Sequence, residues 1–190
     1  IYVFGIDRVV QNTVGAEVYG RFFMLLNVAL IFQILLDLGI ENFIRKEISR
    51  HPEKASGYFS NIIVLKLLLF IPYFIICISV ALLRDFLSGD YLLLFLFILI
   101  NQFLASFILF IRANLGAFQF FRTESLVSVL DRTLMIVIVG SLLLYPISRF
   151  MFRINWFVMA QTLSYATALV IGIILLRRNS VEIVNRINLK

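Results

Sequence analysis

Five stretches of this chain stay apolar for longer than a soluble helix needs. Residues 22–40, 58–83, 91–111, about 125–148 and 154–176 each supply 19 residues or more, and a helix of about 20 residues crosses the hydrocarbon core of a bilayer. Inside lipid every backbone N–H and C=O must be satisfied within its own segment, which makes a run of this kind helical. The opening "IYVFGIDRVVQNTVG" reads as the closing half of one more helix, ended by Gly15. Connections between the runs are short, so consecutive spans lie as antiparallel neighbours in one bundle. The expected fold is an all-α integral membrane bundle of about five full transmembrane helices plus the end of a first one. It forms a single membrane domain over residues 1–190.

Composition supports lipid as the solvent. The chain is 62% hydrophobic and 15% charged, whereas a soluble domain is about half apolar and about a quarter charged. The net charge of +6 would suggest nucleic acid in a soluble protein. Here the basic residues gather at span ends, so no nucleic-acid partner is expected and anionic membrane lipids are. A lone Cys77 inside an apolar run cannot form an intrachain disulfide. His51 is the only histidine, and no metal-ligand spacing, Walker loop, nucleophile elbow or dinucleotide fingerprint occurs. No metal, no cofactor and no catalytic residue is expected.

Basic residues also orient the chain. Arg45, Lys46, Arg50, Lys54, Arg112, Arg122, Arg177, Arg178, Arg186 and Lys190 flank one end of the spans, ten in all, against Arg21, Arg84, Arg149 and Arg153 at the other. Cytoplasmic loops carry the Lys/Arg excess, which places 41–57, 112–124 and 177–190 in the cytoplasm. Cysteines introduced at Lys54 and Ser88 should therefore react differently with an impermeant thiol reagent in intact cells. Position 88 is expected to label, and labelling of position 54 would reverse the orientation.

At the cytoplasmic end of the first full span stands "LLDLGIENFIRKEISR", residues 35–50. Ile40, Phe43, Ile44 and Ile48 recur at helical spacing, with Arg45, Lys46 and Arg50 off that stripe. This predicts a short amphipathic helix on the inner leaflet, its basic residues facing anionic headgroups. A plain stop-transfer anchor is the simpler reading.

Charged groups inside the spans are costly, about 2.5–3.5 kcal/mol near a helix centre, and persist when paired, wetted or functional. Asp7 and Arg8, Asp37, Lys66, and Asp131 and Arg132 are such groups. At about 1.5 Å of rise per residue, Lys66 and Arg132 each lie about 12 Å from the cytoplasmic end, and Asp37 a turn inside it. Asp7 and Arg8 fall in the outer half. Asn101, Gln102 and Gln161 occupy the level between, with Ser164, Tyr165 and Thr167 on the last span. Ser164, Ala168 and Gly172 make a small-residue row that reads as a packing seam. Either Asp37 pairs with Lys66 or Arg132 and locks helices, or these groups line a water-filled cavity open to a polar substrate. Polar groups at several depths favour the cavity.

The segment "FGIDRVVQNTVGAEVYGRF" followed by an apolar helix ending in "LLDLGIENFIRKEISR" resembles bacterial oligosaccharide flippases. These form the polysaccharide-biosynthesis branch of the multidrug/oligosaccharidyl-lipid/polysaccharide exporter superfamily. The matching features are Gly15, Glu17, Tyr19 and Gly20 in one loop, then Asp37, Leu38 and Gly39 before a basic segment. The match is specific over residues 4–50; beyond them only the rhythm of spans agrees. The resemblance implies most of an N-terminal lobe, from the end of helix 1 to helix 6, with a second lobe needed to complete the cavity. It further implies alternating-access export of undecaprenyl-diphosphate-linked O-antigen or capsule repeat units across the bacterial inner membrane. Its partners would be the lipid-linked oligosaccharide and other glycan-assembly membrane proteins. Under that resemblance Arg8, Lys66 and Arg132 would meet the diphosphate. Asn101, Gln102 and Gln161 would bond sugar hydroxyls, and Asp37 would gate the cations by competing with substrate for one of them.

Two other classes compete. A membrane enzyme of glycan assembly would need a catalytic residue at the membrane edge, where Asp85, Asp90 and His51 are the only loop acids or bases available and show no paired geometry. A proton- or ion-coupled multidrug exporter would use a protonatable acid, such as Asp37 or Asp131, in a less basic cavity.

Overall fold

A computed structural model gives the structure of residues 6–52, 55–84, 86, 91–144 and 152–187. Lys54, Asp85, Ser88, Asp90, Arg149 and Lys190 lie outside these residues. Seven α-helices make up the described chain: α1 (Arg8–Val14), α2 (Ala16–Phe32), α3 (Ile40–Arg50), α4 (Ala55–Leu83), α5 (Tyr91–Ala117), α6 (Phe121–Leu144) and α7 (Ile154–Ile187). Five segments are long and apolar enough to cross a membrane: Ala16–Arg50, Gly57–Leu83, Tyr91–Ala117, Phe121–Leu143 and Ile154–Asn179. The all-α bundle read from the sequence is the fold observed.

The boundaries differ from the apolar runs in instructive ways. Gly15 ends α1 as expected, with φ +90°, a conformation that favours glycine. However, Ala16 already begins α2, so "AEVYG" is a first helical turn and not a loop. At its other end α2 tightens into a 3-10 turn over Gln33–Leu36. The chain then kinks through Leu38 (φ 44°) and Gly39 (φ 83°), so the regular helix α2 stops short of Ile40 and α3 takes up the run beyond the break. Similarly α6 starts at Phe121, because Arg122 and Glu124 extend the helix past the apolar core. Pro72 lies within α4, where its missing N–H leaves one carbonyl without its helical partner, a loss that transmembrane helices tolerate.

The central helix is α5, which packs against α2, α3, α6 and α7. Its buried residues run from Leu94 to Ala117. They contribute to two apolar clusters, one toward each end of the bundle. The first gathers Val10, Phe22, Leu25, Tyr73, Phe95, Ile98, Met135 and Phe157. The second gathers Ile40, Ile44, Ile48, Ile108, Ile111, Leu115, Val127 and Ala168. Between them α5 carries Asn101, Gln102 and Ser106, all buried. Asn114, also buried, lies two turns further along α5 and satisfies its amide on Phe110 O at 2.8 Å.

The small-residue row on α7 is the seam expected of it. Ser164 and Ala168 are fully buried. A Cβ on Gly172 would stand 3.2 Å from Ile111 Cγ2 of α5 and 3.6 Å from Val127 Cγ1 of α6, so glycine lets three helices close on one point.

The amphipathic helix α3 exists, but its apolar face meets protein. Ile40, Ile44 and Ile48 are buried against α5, leaving Phe43 exposed. The expectation that this face dips into the leaflet is therefore corrected: a narrow i, i+4, i+8 stripe fits a helix groove as well as it fits lipid. Lys46 and Arg50 are exposed, as headgroup contacts require. Arg45 is not oriented that way. Its Nη2 lies 3.3 Å from Glu41 Oε1 and 2.8 Å from Glu124 Oε1 on α6, over Gly116, whose absent side chain leaves room for the guanidinium.

These contacts also sort the segments by end. Arg45 with Glu124, Ser49 Oγ donating to Ala117 O at 3.4 Å, and Asn179 Nδ2 donating to Thr123 Oγ1 at 3.3 Å put 45–49, 117–124 and 179 together. Arg21 lies 5.2 Å above the Tyr91 ring at the opposite end. Among the described residues, these contacts agree with the grouping of segments used for the basic count.

Candidate functional site

One cavity of about 390 Å³ opens between the helices at the polar level. Its longest wall is a stripe of α2 continued into the 3-10 turn: Tyr19, Phe22, Phe23, Leu26, Leu30 and Gln33. That spacing repeats about every 3.5 residues, which keeps one helix face turned inward. Along α5 the cavity is lined by Gln102, Ala105, Ile108 and Leu109, and along α7 by Phe157, Gln161 and Tyr165 at i, i+4 and i+8. Asp131 and Arg132 of α6 and Asp7 at the start of α1 complete it. Phe23, Leu30 and Arg132 are exposed, so the cavity is open along that rim.

Of the candidates named from the sequence, Gln102, Asp131, Arg132 and Gln161 are brought together here. Arg132 Nε stands 3.6 Å from Asp131 Oδ2. The Asp131 side chain is 14% exposed and that of Arg132 53%. The acid is therefore tucked in while the guanidinium reaches the opening. Arg132 is the one cation among the lining residues, against two carboxylates, Asp7 and Asp131.

The other candidates do not line it. Arg8 is exposed and its neighbour Asp7 holds the cavity position. Successive helical residues are about 100° apart, so a helix that turns Asp7 inward turns Arg8 away. Depth alone could not separate the two.

Lys66 and Asp37 form a different structure, a clasp. Lys66 is 1% exposed. Its Nζ donates to Leu36 O at 2.9 Å and to Ser106 Oγ at 3.3 Å, and lies 3.9 Å from Asp37 Oδ1. The same Oδ1 accepts the Glu41 N–H at 3.2 Å, one of the first-turn amides of α3 that have no partner within the helix. At the break between α2 and α3, Lys66 thus satisfies a carbonyl of the ending helix, and Asp37 caps the starting one. The expectation that substrate competes for this cation is corrected, because a fully buried ammonium with three partners is out of a substrate's reach.

Asn101 is likewise buried behind the wall. Its Nδ2 donates to Val158 O at 3.2 Å and to Gln161 Oε1 at 3.3 Å. It touches the cavity only through Gln161, whose Nε2 donates to Tyr165 Oη at 3.1 Å.

The sequence reading counted Asp7 and Tyr165 among the polar groups of the spans without giving either a role toward substrate, and it did not place Tyr19 or Gln33 at the cavity. A signal for two of them was present: Tyr19 and Gln33 bracket an otherwise apolar stripe at helical spacing. For Asp7 the signal was its place beside Arg8 in a span, which did not say which of the two faces inward.

Five helices long and apolar enough to cross a membrane, packed around a small polar cavity, define a multi-pass membrane protein. The chain belongs to the polysaccharide biosynthesis protein family, whose sequence profile it matches over residues 4–189. Its role lies in the assembly or export of polysaccharide. No curated protein and no solved structure gives a significant match.

Proposed function

We infer that this chain builds one lobe of an exporter that moves a lipid-linked oligosaccharide across the bacterial inner membrane by alternating access, without chemical conversion of its cargo. The observation that carries this reading is the placement of Arg132. One exposed guanidinium stands at the mouth of a cavity whose remaining polar lining is amide, phenol and carboxylate. A guanidinium is suited to bidentate contact with phosphate oxygens, and Gln102, Gln161 and Gln33 suit sugar hydroxyls. The prenyl chain of such a cargo would stay in lipid while its polar head enters. O-antigen or capsule repeat units linked through undecaprenyl diphosphate are the proposed cargo, and the neighbouring glycan-assembly proteins its suppliers. Exposed Lys46 and Arg50 would meet anionic headgroups at the cytoplasmic surface.

Deleting the gene tests the reading. Lipid-linked oligosaccharide should accumulate on the inner leaflet while surface polysaccharide disappears, and plasmid expression should reverse both. Unchanged surface polysaccharide would overturn it.

The two carboxylates give a second reading its footing. Asp7 and Asp131 outnumber the cation, which suits a proton-coupled exporter of small cationic compounds. That reading expects the deletion to sensitise cells to such compounds with surface glycan unaffected.

A further inference from the structure

The polar wall of the cavity has a direction, and a single buried residue sets it. Asn101 Nδ2 faces the Val158 carbonyl, a backbone acceptor that cannot rotate or ionise. Turning the Asn101 amide over would set Oδ1 against that carbonyl, acceptor to acceptor. The amide is thereby held with both protons engaged, one on Val158 O and one on Gln161 Oε1. Gln161 follows, since reversing it would oppose its NH2 to that of Asn101. Its Nε2 must then point at Tyr165, whose hydroxyl oxygen accepts at 3.1 Å. Tyr165 is left with a proton and no acceptor for it among the described residues, at a position that lines the cavity beside Asp131 and Arg132. The cost of the arrangement is visible at its root, where Asn101 Oδ1 is buried without a hydrogen-bond partner. An unmet buried acceptor is expensive, and it is the consequence of spending both Asn101 protons on direction.

We propose that Asn101 is a positioning residue that fixes the polarity of the Asn101–Gln161–Tyr165 chain, so that Tyr165 offers a proton, not a lone pair, to an oxyanion of the substrate held at Arg132. The inference rests on the reading of the cavity as the place where a lipid-linked phosphate binds. Guanidinium and phenol together then make a donor pair, and a substrate lacking the anion gains nothing from either.

The test is a double-mutant cycle on the purified intact protein, with farnesyl diphosphate as the probe and farnesol as the control. Tyr165→Phe should weaken farnesyl diphosphate binding about tenfold, as expected for one hydrogen bond to a charged group. Asn101→Leu should do the same, because the freed Gln161 amide turns its oxygen to Tyr165 and takes the proton. The double variant should lose no more than about tenfold in total. Losses that multiply toward a hundredfold would mean the two residues act independently and would overturn the proposal. Inorganic diphosphate should show the same pattern at lower affinity, which separates the oxyanion from the prenyl chain. Should Asn101→Leu not accumulate, 3-fluorotyrosine in place of Tyr165 decides at a pH where the phenol is un-ionised. A more acidic hydroxyl is a better donor and poorer acceptor, so binding should tighten, and weaker binding would refute the assignment. Equal binding of farnesol and farnesyl diphosphate by the unmodified protein would instead defeat the phosphate reading itself, whatever the substitutions do.

Discussion

Asp37→Asn is expected to destabilise the intact protein by about 3 kcal/mol, more than removal of the lysine it faces. Taking away one partner of a buried ion pair costs about 3–5 kcal/mol when it strands the other charge without compensation. Here the stranded group would be Lys66, at 1% exposure. The lower end of the range applies because Leu36 O and Ser106 Oγ still hold the ammonium. Asparagine also keeps an oxygen for the Glu41 N–H, so the substitution removes the charge and spares the cap. Lys66→Met strands Asp37 instead, whose side chain is 36% exposed and stays solvated. Its cost should be nearer the 1–2 kcal/mol of lost hydrogen bonds. Combining the two changes should bring the cost back to that of Lys66→Met alone, about 1–2 kcal/mol. Thermal unfolding in one detergent, read for all three variants, checks the order. If Lys66→Met proves the worse of the pair, the clasp is not held together as described.

That clasp shows what the sequence could and could not disclose. Asp37 pairing with a basic residue was legible, because an acid in an apolar span demands a partner, and Lys66 was one of two named. Its second task was not. Capping Glu41 depends on the break in the helix at Leu38 and Gly39, and only Gly39 advertises a positive φ. The spans were legible for a simple reason, since lipid enforces a length and an apolar surface on each. Their polar ends were not, and α6 begins at Phe121 because a helix does not stop where hydropathy does. Amphipathicity announced α3 and its face, yet the period of Ile40, Ile44 and Ile48 is the same whether lipid or α5 receives it. Arg45 went astray with that face, as Glu124 is 79 positions away. Among the site residues, depth along a helix was readable and azimuth was not.

Azimuth is what separates Arg8 from Arg132, and the two should behave differently. Both are arginines in spans, and a reading by depth and resemblance assigns both to the diphosphate. In the structure only Arg132 lines the cavity, while Arg8 is exposed on the other side of Asp7. Arg132→Ala in the intact protein is therefore expected to reduce surface polysaccharide below a tenth of the normal level, with membrane abundance nearly unchanged. The size follows from losing a charge-assisted contact to the substrate, about 1.5–3 kcal/mol for one hydrogen bond to a charged group and more where the contact is bidentate. Abundance should hold because the side chain is 53% exposed and its neighbour Asp131 is adjacent in sequence, a pairing that contributes little to stability. Arg132→Lys should retain part of the export, since the charge remains but the planar fork does not. Arg8→Ala should leave export near normal. Immunoblots of membranes beside quantified surface glycan read both quantities in the same cells. Disappearance of the Arg132→Ala protein from the membrane would mark the arginine as a structural partner of α6. Equal loss of export on Arg8→Ala would mean that α1 presents its other face to the substrate path, and that the cavity described here is only one wall of it.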